Sequence, residues 1–257
     1  MSIKSIISKK LREKYGNHTK MAELENELHK ERTEAENLWH ILHSYFEQKN
    51  GIYFSQYYQD LFVDIFFKEK ANGVFVDIGA WDGITFSNSY FLEKRGWNGI
   101  LIEPNPLQAE ALSKNRSGII ENICVSDSDG KVEFLAIEGY ASMLSGIKSS
   151  FSDDHLQRID REISQFGGSK REVMLDCLML KTVFAKHKIE KIDYLSIDTE
   201  GHEIQVLNGI DFTKTSIELI GLELDFSREK VVENVLKAKG YERIFRIETD
   251  VFFKKAV

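Results

Sequence analysis

Val74-Phe75-Val76-Asp77-Ile78-Gly79-Ala80-Trp81-Asp82-Gly83 is the stretch that decides the fold. β-branched and aromatic apolar residues run into an acid, a Gly-x-x-x-Gly turn follows, and residues 84–95 then read as a helix. A buried parallel strand that feeds a glycine turn and a helix N-terminus is where an open α/β sheet holds nucleotide-like ligands. Gly79 and Gly83 let the backbone pass close to a ligand where a Cβ would collide. Asp77, at the carboxyl end of the strand, can accept hydrogen bonds from a cationic amine, a feature that a pyrophosphate site would avoid.

That acid separates two cofactors. The dinucleotide fingerprint Gly-x-Gly-x-x-Gly needs its second glycine so that a pyrophosphate can reach the helix end. Trp81 occupies that position and would block the approach. An acid before the first glycine suits the ammonium group of S-adenosylmethionine better. One strand later, Gly99-Ile100-Leu101-Ile102-Glu103-Pro104 ends in a second acid. Glu103 lies about 20 residues past the glycine turn, where a carboxylate can bind ribose hydroxyls. Nicotinamide enzymes use the same device, so Glu103 alone is ambiguous; with Asp77 and Trp81 it favours a methyl donor.

The chain has 257 residues, 42% of them hydrophobic, enough for one sizeable α/β core and an appendage. A net charge of −7 argues against a nucleic-acid binder, which needs a basic face. Cys124 and Cys177 sit in apolar surroundings without metal-ligand spacing and read as buried free thiols of a reducing compartment. No apolar run reaches the ~20 residues of a membrane span, and the N-terminus lacks a secretory signal pattern. A cytoplasmic location is the expectation.

Residues 1–50 differ from the rest, with no proline, one glycine and nine basic against eight acidic residues. From Met21 a heptad is set by Met21, Leu28, Ala35 and Leu42 and by Leu24, Leu38 and Tyr45, broken only at Glu31. This predicts a long helix burying a narrow stripe over residues 21–45, against its own domain or in a homodimer. Ahead of it, Ile3, Ile6, Ile7 and Leu11 share a helical face ringed by lysines, which at most touches a membrane surface through residues 1–14 and otherwise is simply solvated. The expected division is a helical extension over 1–50 and a catalytic domain over 51–257.

The body alternates strands (73–78, 99–103, 119–125, 192–198, 217–225) with helices (about 84–95, 106–114, 176–188, 202–208, 227–239). Such alternation means crossover units and a mostly parallel sheet. Asn208-Gly209 and Lys239-Gly240 are helix stops. Residues 241–247 and 249–254 read as two strands about a two-residue turn, so the expected fold is a Rossmann-like class I methyltransferase fold, its parallel sheet closed by a C-terminal antiparallel hairpin. Residues 137–175, with Ser142-Met143-Leu144-Ser145-Gly146 and an amphipathic stretch at 152–166, read as an insertion that forms a lid or substrate wall.

A second chemical site ends the strand Tyr194–Ile197: Asp198, Glu200 and His202 alternate there, and Glu203 opens a helix. Glu223 and Asp225 end the next strand, and all these carboxyl ends should line one crevice. Methyl transfer to a hydroxyl needs alignment of donor and acceptor and assistance to the departing proton. His202 has a suitable pKa for a general base, and Asp198 is an alternative. Asp198, Glu200, Glu223 and Asp225 are also hard oxygen ligands that could hold Mg²⁺. The purely structural alternative has Glu200 and Glu203 capping the helix N-terminus and Glu223 in an ion pair, and for Glu203 the cap is the preferred reading.

The chain resembles the FkbM-type S-adenosylmethionine-dependent methyltransferases. The matching stretches are Ser55-Gln56, Gln59-Asp60-Leu61, Val76-Asp77-Ile78-Gly79-Ala80, Ser87-Asn88, Gly96-Trp97-Asn98-Gly99, Ile102-Glu103-Pro104-Asn105-Pro106, Ser126-Asp127 before Gly130, and Ile192–Glu203. They run in order over roughly residues 53–255. The resemblance implies O-methylation of sugars or polyketide-like products. It implies donor contacts from Asp77, Gly79 and Glu103, with the neighbouring Ala80, Gly83, Ser87, Asn88, Pro104 and Asp198 in the same site, and places Ser126-Asp127 near the adenine. The leading expectation is methylation of a saccharide hydroxyl. A nicotinamide-dependent sugar oxidoreductase or epimerase would need a second glycine at Trp81 and a Tyr-x-x-x-Lys pair at the relevant strand end. A non-catalytic scaffold would have no need of acids aimed into a crevice.

Overall fold

The structure is a computed structural model that describes His43 and residues 52–256. The heptad over 21–45, the basic start over 1–14 and the rest of the 1–50 extension lie outside the described residues, His43 apart. In chain order the elements are α1 (Gln59–Phe66), β1 (Val74–Ile78), α2 (Tyr90–Lys94), β2 (Asn98–Ile102), α3 (Pro106–Asn115), β3 (Ile119–Glu121) and β4 (Cys124–Ser126). They continue with β5 (Gly130–Gly139), β6 (Gly146–Ile147), α4 (Asp153–Phe166), β7 (Gly168–Met179), α5 (Leu180–His187) and β8 (Lys191–Ile197). The last are α6 (Glu203–Asn208), β9 (Ser216–Glu223), α7 (Phe226–Lys237), β10 (Tyr241–Ile247) and β11 (Asp250–Lys255).

Seven strands form one sheet in the order β3-β2-β1-β8-β9-β11-β10. β3, β2, β1, β8 and β9 pair in parallel, and β11 enters antiparallel against β9 and β10. The chain therefore starts in the middle of the sheet, works outward to β3, returns to β8, and closes with the expected hairpin. Crossover units with helices on the faces demand strands that are apolar on both sides, and Val76, Ile100, Leu195, Ile220 and Leu222 are all fully buried. Leu180, Val183 and Phe184 of α5 and Val232 and Leu236 of α7 complete that core. The hairpin holds its place through an aromatic cluster: Phe62 of α1 packs, rings tilted, against Phe245 and Phe252 with centroids 4.7 and 4.5 Å away.

Three elements differ from the sequence expectation. The helix expected over 84–95 is only Tyr90–Lys94. Asp82 accepts from the backbone N–H groups of Ile84 and Thr85, each at 2.8 Å, and Phe86 takes a left-handed φ of 53°. Local side-chain bonding of this kind competes with helix, and the turn starts only where Ser87 Oγ accepts from Tyr90 N at 3.1 Å. The single strand expected over 119–125 is two: β3 pairs with β2, whereas β4 leaves for another sheet. At the break, Asn122 Nδ2 donates to the carbonyls of Glu103 and Pro104 at 2.7 and 3.0 Å. Finally, residues 176–179 belong to β7, not to the following helix.

β7 is part of a second, four-stranded sheet in the order β4-β7-β5-β6 that the sequence reading did not foresee. β5 and β7 pair antiparallel from Gly130↔Cys177 to Gly139↔Gly168. This sheet and α4 make the 137–175 insertion an ordered wall. α4 is started by Ser152, whose Oγ accepts from His155 N at 3.2 Å, and by Asp153 and Asp154 in the first turn. Its Ile159 is buried against Leu135, Ile137 and Leu144. Cys124 and Cys177 face each other across β4 and β7 as buried free thiols. No helix among the described residues is long and apolar enough to cross a membrane.

Candidate active site

The carboxyl ends of β1, β2, β8 and β9 open into a cavity of about 260 Å³, closed on its other side by Ser142–Ile147. Of the residues singled out from sequence, Asp77, Gly79, Ala80, Ser87, Asn88, Glu103, Pro104, Asp198, Glu200, His202 and Glu223 all line it. Gly83, Ser126, Asp127 and Asp225 do not. Three non-glycine residues in left-handed backbone lie on its wall, Trp81 (φ 45°), Phe86 (φ 53°) and Glu200 (φ 53°). Such strain persists where the surroundings over-determine it, and it gathers at ligand sites.

Asp77 and Glu103 stand at the carboxyl ends of β1 and β2. Asp77 is buried, and burial raises its pKa while hydrogen bonds from Ser89 and Ser196 and the charge of Arg116 pull it back. Ser89 Oγ donates to Asp77 Oδ2 at 2.5 Å. Glu103 accepts from the backbone N–H of Trp81 at 2.9 Å and of Asn105 at 2.7 Å. Burial pushes its pKa up to about 7, against those two bonds and with help from the charge of Asp77. Gly79 has φ 84°, and a Cβ there would lie 1.9 Å from the Asp198 carbonyl oxygen, so β1 and β8 approach as closely as they do only because of glycine. Asn88 Nδ2 donates to Ser196 Oγ at 3.3 Å, while its buried Oδ1 has no partner. Gly83 serves packing instead: a Cβ there would strike Leu112 Cδ1 at 2.5 Å.

At the carboxyl ends of β8 and β9, carboxylate oxygens of Asp198, Glu200 and Glu223 lie within 4.8 Å of one another. The pKa of Asp198 is raised well above the carboxylate range by burial, then by the charges of Glu223 and Glu200, and a hydrogen bond joins it to Glu223. Glu200 is raised by burial and by Glu223, with Arg158 pulling the other way. Two like charges this close share a proton more readily than both ionise. Asp225 is not in this cluster. It caps α7, accepting from Ser227 N at 2.9 Å and Arg228 N at 3.2 Å, because the strand stops at Glu223 and the acid two residues on meets the next helix. Glu203 holds the turn before α6, accepting from Gly201 N at 2.9 Å and from Arg228 Nη1 at 2.7 Å.

Several lining residues escaped the sequence reading. Arg158 of α4 supplies the positive charge that the local sequence around the acids lacks, and it comes from the insertion. Asp250 enters because β11 pairs it with Glu223. Burial brings its pKa to about 7, and Gln59 Nε2 donates to it at 2.8 Å. Gln59 stood inside a family-like stretch, but nothing local tied either residue to the crevice.

His202 is buried at the start of α6. Its Nδ1 lies 2.5 Å from Ser150 Oγ and its Nε2 2.8 Å from Ser126 Oγ. Ser126 Oγ donates on to Asp127 at 3.3 Å, which leaves its lone pairs for an Nε2–H and makes Nδ1 the acceptor. Burial lowers the His202 pKa, partly opposed by Asp127. The ring is thus neutral at neutral pH and able to take a proton. Ser126 and Asp127 act behind His202 and not on the cavity wall.

Comparison with known proteins places this arrangement. The methyltransferase FkbM domain matches residues 77–243. No curated protein matches the chain significantly. Among solved structures the chain is similar to a candidate RNA methyltransferase from Pyrococcus horikoshii, at 10% identity and TM-score 0.41, covering 77% of this chain and 82% of that one. It is similar to a TehB-like S-adenosylmethionine-dependent methyltransferase from Corynebacterium glutamicum, at 10% identity and TM-score 0.38, covering 87% and 99%. A precorrin-6y C5,15-methyltransferase from Geobacter metallireducens matches at 11% identity and TM-score 0.37, covering 76% and 84%. With the FkbM domain spanning β1 to β10 and its acids converging on one cavity, the chain belongs to the FkbM methyltransferase family.

Proposed function

We propose that this methyltransferase uses S-adenosylmethionine to methylate a hydroxyl of a saccharide. The observation that carries the reading is one cavity lined by Asp77, Asn88 and Glu103 and also by His202, Asp198, Glu200 and Glu223. The donor end fits the cofactor on its own terms. Asn88 Oδ1 is a buried acceptor without a donor, beside a carboxylate, as an ammonium group requires. Glu103 is anchored by backbone N–H groups and keeps further lone pairs for ribose hydroxyls. Trp81, at the position of the dinucleotide fingerprint's second glycine, lines the same wall, its indole N–H 3.3 Å from Ser142 Oγ. When bound, the cofactor supplies an electrophilic methyl group. The chain's part is to hold that group in line with the acceptor oxygen and to receive the hydroxyl proton. His202, on the cavity wall with Nδ1 as its unprotonated nitrogen, is the base.

Thermal shift with S-adenosylmethionine, S-adenosylhomocysteine and NAD tests the donor. Ligand at 100 times its dissociation constant should add about 2.7 kcal/mol of stability. Stabilisation by NAD and not by S-adenosylmethionine would replace this reading with an oxidoreductase. Methyl-labelled donor with a panel of saccharides then tests the acceptor, and labelling confined to non-hydroxylated acceptors would reject it.

The acid cluster favours a second reading of how the hydroxyl is activated, in which Asp198, Glu200 and Glu223 hold Mg²⁺. The two routes separate cleanly. With His202 as base, His202→Ala lowers turnover roughly 10²–10⁴-fold and chelator does nothing. With a metal, EDTA abolishes turnover and Mg²⁺ restores it.

A further inference from the structure

Arg116 follows α3, and its side chain is sealed from solvent. Nε pairs with Glu93 Oε2 at 3.0 Å, and Nη1 donates to the Gly83 carbonyl at 2.9 Å and to Ser87 Oγ at 3.3 Å. The guanidinium stands over the rings of Phe75 and Tyr90, 5.6 and 5.3 Å from their centroids. These contacts satisfy a buried cation. Its remaining branch leads to the cavity: Nη2 donates to Ser89 Oγ at 3.0 Å, and Ser89 Oγ donates to Asp77 Oδ2 at 2.5 Å.

The direction of that chain matters. A hydroxyl has one proton to give. With Arg116 donating to Ser89, the Ser89 proton is directed at Asp77, whose Oδ2 accepts it. We infer that Arg116 is a positioning residue for the methyl donor: by fixing the Ser89 O–H it holds Asp77 as an oriented carboxylate on the cavity wall. The inference rests on the reading of Asp77 as a contact for the donor's ammonium group.

The groups that face Asp77 agree. Burial alone would favour its neutral form, and Ser89, Arg116 and Ser196 oppose that. The other titratable neighbours are Glu103 at the end of β2 and Tyr194 in β8, both of which feel the Asp77 charge and neither of which brings a positive one. A hydrogen-bonded relay to a buried cation replaces the water that would otherwise stabilise the carboxylate.

The test is calorimetric titration of S-adenosylmethionine into the full-length chain from about pH 5 to about pH 8, around the ordinary range over which a raised carboxylate titrates. Wild type should lose affinity as the pH falls and Asp77 and Glu103 take up protons, of which only the Asp77 part depends on Arg116 and Ser89. In Arg116→Met and Ser89→Ala the midpoint of that loss should move up by about one pH unit or more. Arg116→Lys should move it in the same direction by less, since a point charge cannot serve Glu93, Gly83 and Ser89 together. Should Arg116→Met not fold, Arg116→Lys carries the comparison. Midpoints equal to wild type in the Arg116 variants, with donor binding intact, overturn the inference alone. No donor binding by wild type at any pH overturns the donor reading, and the inference with it.

Discussion

Asp77 and Glu103 are buried carboxylates whose charge is held by hydrogen bonds and not by water, which makes each costly to the fold and useful to a cationic, hydroxyl-rich ligand. Asp77→Asn and Glu103→Ala should each weaken S-adenosylmethionine binding by about 1.5–3 kcal/mol, the worth of a charge-assisted hydrogen bond. Unchanged calorimetric affinity in both would sink the donor assignment. The cost to the fold can be read from pH. Glu103 rises from 4.5 to about 7 and Asp250 from 3.8 to about 7 on folding. Between those limits the folded state binds more protons than the unfolded one, so stability is fully present below the lower values and is lost as pH rises through about 7. Burial lowers His202 instead, which gives an opposite slope, so the comparison must be between variants. Melting temperature should fall less steeply with rising pH in Glu103→Gln/Asp250→Asn than in wild type. Parallel slopes would mean that these two groups do not titrate with folding.

The turn after β1 shows how one element depends on another. Gly79 N donates to the Ile102 carbonyl at 2.9 Å, and Asp198 N donates to the Ile78 carbonyl at 3.0 Å, so the ends of β2, β1 and β8 are laced together at the cavity floor. Gly79→Ala adds a methyl 1.9 Å from a backbone oxygen, in a left-handed conformation. Strain and overpacking together should cost about 3 kcal/mol or more. Gly240→Ala, with φ 82° and nothing within 4 Å, should cost about 1 kcal/mol. Denaturant unfolding of the two variants checks the ranking; equal losses would show that β8 yields to the added methyl. Local bonding explains why β1 was legible from sequence while the start of α2 was misplaced. Val74-Phe75-Val76 carries a strand signal in each residue, whereas residues 84–89 are claimed by Asp82 and Ser87, whose bonding to nearby backbone outweighs weak helix propensity.

For the molecule as a whole, the heptad over residues 21–45 poses two alternatives, a helix packed on its own domain or one paired between two chains. Pairing of that stretch between two chains requires deletion of residues 1–48 to turn a dimer into a monomer without loss of donor binding, read by light scattering. A monomeric full-length chain would favour a helix packed on its own domain. The mostly parallel sheet, its hairpin closure and the family were all written locally. Their signals are apolar runs, glycines and acids at strand ends, and in a crossover fold every strand end comes to the same edge whatever the details. Tertiary structure alone decided the rest. The insertion became a second sheet because β4 could leave β3 and find β7, a pairing between residues far apart in sequence. Arg158 and Asp250 reached the acids only through α4 and through the register of β11, and Asp225 was withdrawn from them by the start of α7. Sequence patterning reports which face a residue needs to bury or where a strand ends. Which distant side chain then meets it depends on register and packing, and those exist only once the chain is folded.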